Sequence, residues 1–150
     1  MIVKGRYVAR GGIYRPFVAL RVRSASSGWV PVPFLIDTGA DATFLNHACI
    51  AYLNLDVSSL PLKSDASGVS GGFLYYETNI WLRLEAETGE AKVFAGNIGI
   101  MAAPETLDVP VLGRDVLSEF TAIFDYKRNE IFLIAKPDDY QVIRQQVLYV

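Results

Sequence analysis

The chain has 150 residues, of which 51% are apolar and 20% are charged. A chain of this length buries roughly 68–70% of the surface that its unfolded form exposes, so residues 1–150 are expected to form one domain with its own core. The 14 lysines and arginines face 16 aspartates and glutamates, which gives a net charge of −2. We expect neither nucleic acid nor a membrane as a partner, because there is no basic excess and no apolar run of ~20 residues.

Cys49 is the only cysteine, so one chain can form no internal disulfide and no cysteine-rich zinc site. Lys4, Arg6 and Arg10 interrupt the N-terminal segment, where a secretory signal would need an apolar stretch of about 7–15 residues. Both observations favour a cytoplasmic protein in a reducing compartment.

Short runs rich in Val, Ile, Phe and Tyr, separated by Gly, Pro, Ser and Asn, are typical of a mostly β domain. Apolar and polar residues alternate over 18–23 and again over 80–84, as expected where one face of a sheet is wet. Polar turn residues between two apolar arms predict a hairpin over 124–132. Nine strands are predicted, over residues 2–9, 17–23, 30–36, 42–45, 72–76, 79–85, 91–101, 122–126 and 130–134.

Helical signals are scarce. Residues 46–55 have room for one or two turns, and residues 114–120 carry apolar side chains at near-helical spacing. The end of the chain is ambiguous, since residues 138–147 fit a helix and residues 147–150 fit a strand equally well.

The most informative segment is Asp37-Thr38-Gly39, which follows directly on the apolar run 30–36. A carboxylate at the mouth of a buried strand has restricted access to water, and the glycine leaves room for a backbone or a substrate to approach. A plain turn between two strands uses the same residue types. The tripeptide alone therefore leaves both interpretations open, and no second Asp-Ser-Gly or Asp-Thr-Gly occurs in the chain.

Two later segments favour the reactive carboxylate. The apolar run 109–112 is followed by Gly113, Arg114 and Asp115, and a glycine there lets this segment cross close behind the first. Between the two segments, the glycine-rich residues 67–72 are typical of a mobile hairpin tip with exposed amides, suited to folding over a ligand. The aromatic residues after this tip are candidates for a ligand site, although they are more typical of a core strand: Phe73, Tyr75, Tyr76 and Trp81.

In chain order, the segment 37–43, the glycine loop 68–72 and the segment 111–115 resemble the retropepsin-like aspartic proteases, the family of retroviral proteases and their cellular relatives. The resemblance implies an all-β fold, namely a retropepsin-like closed β-barrel or sandwich with a flap hairpin and one short helix near the C-terminal half. Ala42 stands where many retroviral members carry a second acidic residue, so their subsite preferences do not carry over.

The resemblance implies an aspartic endopeptidase that needs no metal and no cofactor. Two carboxylates that share one proton provide the base that activates water and the acid that protonates the substrate, because like charges about 3 Å apart do not both ionise readily. The chain offers one such aspartate, so a homodimer would bring Asp37 of each subunit to the two-fold axis. The implied substrate is a peptide or a protein.

The family's roles carry over residue by residue. Asp37 would act as acid and base, Thr38 would brace the dyad across the dimer axis, and Gly39 would present its carbonyl to the substrate. Asp41 would bind the substrate main chain and pair with Arg114. Further implied residues bind substrate or support the site: Ala40, Val69, Gly71 and Gly72 for binding, Leu112 and Gly113 for support.

Three other interpretations remain. A phosphatase with an aspartyl nucleophile needs a second aspartate two residues later, where this chain has Gly39. A nucleophile paired with His47 is disfavoured, because Cys49 lies two residues away and faces it poorly on a helix. The main rival is a retropepsin-like dimerisation or peptide-binding module in which the dyad is idle.

Overall fold

The computed structural model describes residues 1–65 and 72–135. Over these ranges the chain forms ten strands and two helices of four residues each. The strands are β1 (Ile2–Arg10), β2 (Ile13–Arg23), β3 (Val30–Ile36), β4 (Phe44–Leu45), β5 (Lys63–Asp65), β6 (Phe73–Glu85), β7 (Ala91–Met101), β8 (Val111–Leu112), β9 (Phe120–Asp125) and β10 (Glu130–Ala135), and the helices are α1 (Cys49–Tyr52) and α2 (Arg114–Leu117). The all-β class is confirmed, and α2 is the short helix expected near the C-terminal half. No helix of the described residues is long and apolar enough to cross a membrane.

Six strands close into a ring. In order around it, β2 pairs with β3, β3 with β8, β8 with β4, β4 with β7, β7 with β6, and β6 pairs back to β2. Two extensions leave this ring: β5 pairs with β6, and β1 connects β2 to the hairpin of β10 and β9. The closed β-barrel expected from the sequence is therefore the ring, and the extensions make the whole sheet less regular than a simple barrel.

The core follows the alternation of the sequence. Six alternating apolar residues of β2 and β6 are each at most 1% exposed: Val18, Leu20, Val22, Ile80, Leu82 and Leu84. Burial of such a side chain stabilises the fold by about 1.5–3 kcal/mol. Arg21 and Arg83, which alternate with these residues and pair across β2 and β6, both lie within 2.9 Å of the Glu85 carboxylate.

Several predicted strand boundaries are corrected. β2 begins at Ile13, four residues earlier than predicted, because the β1–β2 hairpin turns at Gly11 and Gly12, which have φ of 56° and 78°. The predicted strands 72–76 and 79–85 form one strand, β6, because β7 pairs with it without a break from Tyr75 to Glu85. The very short strands β5 and β8 were not predicted, since two or three residues carry too little periodic pattern.

The helices and the hairpin differ from prediction mainly in length. Within the predicted helical segment 46–55, only Cys49–Tyr52 is helical. The helix predicted over 114–120 ends at Leu117, because Phe120 already pairs with Ala135 in the hairpin of β9 and β10. That hairpin is confirmed. The alternatives for residues 138–150 lie outside the described residues.

Candidate active site

Asp37 lies directly beyond the last residue of β3. β3 runs parallel to β8, with Leu35 beside Val111 and Ile36 beside Leu112. The Asp37 N–H continues this pairing by donating to the Leu112 carbonyl oxygen at 3.1 Å. The strand therefore places the half-buried Asp37 carboxylate at the edge of the core, where apolar residues meet solvent.

The segment after Asp37 is a tight turn. The Gly39 N–H donates to Asp37 Oδ1 at 2.9 Å, and the Ala40 N–H donates to the Asp37 carbonyl oxygen at 3.2 Å. The first of these hydrogen bonds orients the carboxylate within its own loop. Thr38 and Gly39 are exposed, so the turn presents them to solvent or to a partner. The segment therefore forms the turn that the sequence offered, and this turn also orients the Asp37 carboxylate; its reactivity stays a prediction.

Gly113 crosses behind this loop at very close range. A Cβ added at Gly113 would lie 2.5 Å from the Ala42 carbonyl oxygen and 3.0 Å from its Cα. The crossing is held by backbone hydrogen bonds, since the Arg114 N–H donates to the Ala40 carbonyl oxygen at 2.9 Å and the Asp115 N–H donates to that of Asp41 at 3.2 Å. The close crossing predicted from the glycine is confirmed.

Thr43, which is buried, and Asp115, which is exposed, connect the two segments through a hydrogen-bond network that the sequence analysis did not assign. Thr43 is 2% exposed, and its N–H and Oγ1 donate to the two Asp115 carboxylate oxygens at 3.0 and 2.7 Å. In turn, Thr43 Oγ1 accepts the Gly113 N–H at 3.0 Å. The sequence signal for this network was a hydroxyl residue immediately before the apolar Phe44, since a buried polar group needs partners.

Asp41 and Arg114 form the ion pair that the resemblance implied, within one chain. Their side chains are 86% and 59% exposed. An exposed pair of this kind contributes no more than about 1 kcal/mol to stability. Its main consequence is positional, because it fixes two charged groups beside the Asp37 loop.

The Asp37 carboxylate opens onto a cleft of about 1180 Å³. Ala40 and Asp41 line one side, Gly72 and the following residues of β6 line another, and the loop between β7 and β8 contributes Glu105 and its neighbours. This volume slightly exceeds the usual 300–1,000 Å³ of a small-molecule pocket, which suits an extended ligand.

An aromatic cluster lines the same cleft, in contrast to the expectation of a plain core strand. The Phe44 ring makes edge contacts with Phe73 and Tyr75, with ring centroids 5.5 and 5.6 Å apart. Gly99 makes room for this ring, because a Cβ there would lie 2.6 Å from Phe44 Cδ1. Tyr76 also lines the cleft. Alternation could not reveal this, because these residues face a cavity formed by distant segments.

The structure brings most of the predicted site residues together. Asp37, Ala40, Asp41 and Gly72 line the cleft. Leu112 and Gly113 are buried beside the Asp37 loop, while Thr38, Gly39 and Arg114 are exposed on or next to it. Trp81, by contrast, is not among the lining residues of the cleft. The Arg23 guanidinium lies over its indole ring, with Arg23 Cζ 5.9 Å from the Trp81 ring centroid. Val69 and Gly71 lie outside the described residues.

Cys49 and His47 take no part in this site. Cys49 is buried, its thiol donates to Asn46 Oδ1 at 3.2 Å, and burial raises the pKa of the thiol to about 11. A thiol with such a pKa supplies almost no thiolate nucleophile at neutral pH. Among residues 1–65 and 72–135, no group of three or more His, Cys, Asp or Glu side chains is arranged to hold a metal ion.

The sequence model of the family described as "Aspartyl protease" matches residues 21–116, well over half of the chain. The chain therefore belongs to the aspartyl protease family. A retropepsin-like aspartic protease from Rickettsia conorii superposes with a TM-score of 0.59 at 17% identity, over 89% of this chain and 90% of that one. The EIAV protease in complex with an inhibitor gives a TM-score of 0.48 at 21% identity, over 74% of this chain and 92% of that one. No curated protein matches the chain. The family model confirms the family resemblance, and the likeness to the Rickettsia conorii structure confirms the retropepsin-like fold.

Proposed function

We propose that this protein is an aspartic endopeptidase that hydrolyses peptide bonds with a water activated by two Asp37 carboxylates, one from each subunit of a homodimer. The observation that carries the proposal is the position of Asp37, half-buried at the end of β3 and open to the cleft of about 1180 Å³. Membership of the aspartyl protease family supports the reaction class. We also propose that residues 1–150 form a single domain, and the cytoplasmic location stays a prediction.

The dimer follows from the chemistry of the dyad. General acid–base hydrolysis of an amide without a metal needs one carboxylate as base and one carboxylic acid as donor. The chain contains a single Asp-Thr-Gly segment, so one copy supplies half of this pair. An isologous two-fold interface would place the same Asp37 surface of each copy at the axis, where two carboxylates about 3 Å apart share one proton.

The reaction then balances on these two groups. The ionised Asp37 takes a proton from water as the water oxygen attacks the scissile carbonyl carbon, and the protonated Asp37 of the second copy donates its proton to the carbonyl oxygen. The tetrahedral intermediate collapses as the C–N bond breaks and the amine nitrogen accepts a proton from the first Asp37, which gained it from the water. A hydroxyl group of the intermediate gives its proton to the second Asp37 as the new carboxyl product forms, so the dyad ends with one proton, as it began.

The surrounding residues would hold the dyad and the substrate. Thr38 is exposed on the Asp37 turn, as a brace across the two-fold axis requires, and Gly39 is exposed with its carbonyl available to a substrate. The substrate would lie extended in the cleft and form strand-like hydrogen bonds with the chain. The residues proposed to bind its backbone are Ala40, Asp41, Val69, Gly71 and Gly72, and those proposed to hold the loop are Leu112, Gly113 and Arg114.

The decisive variant is Asp37→Asn, assayed on a peptide library between pH 3 and 7 with the mass in solution measured alongside. We expect loss of cleavage with the dimer retained, whereas Asp56→Asn, which changes an exposed aspartate outside the cleft, keeps full activity. Added in excess, the Asp37→Asn protein should inhibit the wild type, because each mixed dimer holds a single carboxylate.

Three results would contradict this proposal. Cleavage by Asp37→Asn would exclude the carboxylate as the catalytic group. Full activity of a monomer would exclude the shared dyad. A wild-type dimer that cleaves no peptide in this pH range would support the idle dimerisation or peptide-binding module instead.

A further inference from the structure

We propose that the cleft selects peptide segments carrying lysine or arginine side chains, that Glu105 is a residue that determines this specificity, and that Lys63 limits the contribution of Glu77. The inference rests on the proposed function, since it concerns the substrate class of the same cleft. It is carried by the distribution of charge over the walls of that cleft.

The described lining residues carry negative charge only. Among them are six of the 16 acidic residues of the chain, and no lysine, arginine or histidine. The carboxylates come from the Asp37 loop, from β5 and β6, from the loop between β7 and β8, and from α2, so they surround the cleft rather than forming one cluster. The six residues are Asp37, Asp41, Asp65, Glu77, Glu105 and Asp115.

Nearby cations offset only part of this charge. Lys63 Nζ lies 2.5 Å from Glu77 Oε2, and Arg114 pairs with Asp41. Among the described residues, Asp37, Glu105 and Asp115 form no ion pair, so three lining carboxylates keep their negative charge in each subunit. The proton shared by two Asp37 residues removes half a charge from this surplus. A concave surface lined by one sign of charge concentrates the field and raises the local concentration of the opposite sign.

The aromatic cluster strengthens this preference. Phe44, Phe73 and Tyr75 line the cleft together with the carboxylates. Aromatic faces attract ammonium and guanidinium groups, and their apolar surfaces accept the methylene stems of lysine and arginine.

Peptide binding to the Asp37→Asn protein separates this inference from catalysis. Fluorescent peptides that differ at one position, Lys, Met or Glu, are titrated at 0.15 M and at 1 M NaCl. We expect the Lys peptide to bind at least about threefold more tightly than the Met peptide and the Glu peptide more weakly, because one unit charge about 7 Å away through water has an effect of this size. The preference should shrink at 1 M salt, where the Debye length is about 3 Å.

Two variants in the same background should change the preference in opposite directions. Glu105→Gln removes a negative charge and should reduce the Lys-to-Met ratio by about threefold, whereas Lys63→Met exposes the full charge of Glu77 and should raise the ratio. Glu87→Gln changes the net charge equally at an exposed site outside the cleft and should leave the ratio unchanged.

The possible outcomes separate the two proposals. Equal binding of the three peptides, or a ratio that Glu105→Gln and Lys63→Met do not move, overturns the inference, and cleavage of such peptides by the wild type would still support the protease. A Lys preference that responds to both variants supports the inference about the cleft. If the wild type binds these peptides without cleaving them, the protease proposal is overturned while the inference stands. Absence of both binding and cleavage overturns both.

Discussion

Replacement of Gly113 by alanine tests how far the site depends on the close crossing behind Asp37. The backbone of Gly113 has φ −95° and ψ −178°, which any residue can adopt. The substitution therefore adds one methyl group and no torsional strain. Its Cβ would lie 2.5 Å from the Ala42 carbonyl oxygen and 3.0 Å from the Ala42 Cα, both backbone atoms that cannot rotate away.

The cost follows from the shift that the methyl group requires. Non-bonded heavy atoms pack best at about 3.5–4.0 Å, so the two segments must separate by about 1 Å. That movement stretches the 2.9 Å hydrogen bond from the Arg114 N–H to the Ala40 carbonyl oxygen and the 3.0 Å bond from the Gly113 N–H to Thr43 Oγ1. Overpacking costs typically 1–3 kcal/mol, and the loss of one of these two hydrogen bonds costs about 1 kcal/mol, so we expect a loss of about 2–4 kcal/mol in the free energy of unfolding.

Urea unfolding followed by tryptophan fluorescence measures this loss, at one fixed protomer concentration because a dimer's stability depends on it. Gly96→Ala is the matched control, since Gly96 lies in β7 and a Cβ there would meet nothing within 4 Å. We expect Gly96→Ala to change the free energy of unfolding by no more than about 0.5 kcal/mol. If Gly113→Ala unfolds at the same urea concentration as Gly96→Ala, the crossing is not the close steric contact described above.

Three further predictions concern other parts of the fold. Thr43→Val should lower the free energy of unfolding by about 2 kcal/mol, because it removes a donor to Asp115 and leaves a buried N–H without its acceptor, whereas Thr43→Ser should retain most of the stability in the same urea assay. The Arg15 guanidinium holds the pKa of Asp108 below its usual value, so the pair stabilises the fold above about pH 4. Asp108→Asn should lower the free energy of unfolding by less than about 1 kcal/mol at pH 7. The difference in this free energy between Asp108→Asn and the wild type should disappear as the pH falls through the lowered pKa of Asp108. Cys49, whose pKa is about 11, should react with a thiol reagent at pH 8 more slowly than in urea-unfolded protein by roughly two orders of magnitude; equal rates would show that the thiol is accessible and ionised.

Local patterns were sufficient to predict much of the strand content. Val18, Leu20 and Val22 are buried, as their alternation with polar residues indicated. Such an alternation can be recognised from neighbouring residues alone. The Asp37 segment and the glycine of the later crossing were also found from residue type and order. The roles proposed for Thr38 and for the residues of the glycine loop stay predictions.

Other features depend on residues far apart in the chain. The pairing of β2 with β6 closes the ring, but the sequence of neither strand indicates that the other is its pairing partner. Thr43 and Asp115 are 72 positions apart, so their hydrogen bonds have no counterpart in any short pattern. The corrected length of β6 has the same origin, since β7 continues the pairing through residues that the sequence alone marks as a break.

The amino-acid sequence by itself determined the β-rich class, the alternating core and the carboxylate at the end of β3, because each of these depends on residues next to one another. The tertiary structure decided which strands close the ring, how closely Gly113 approaches Ala42, and which acidic and aromatic side chains share one cleft. The physical reason is that these contacts arise only when distant segments pack together, so their energies depend on distances that no local order of residues specifies.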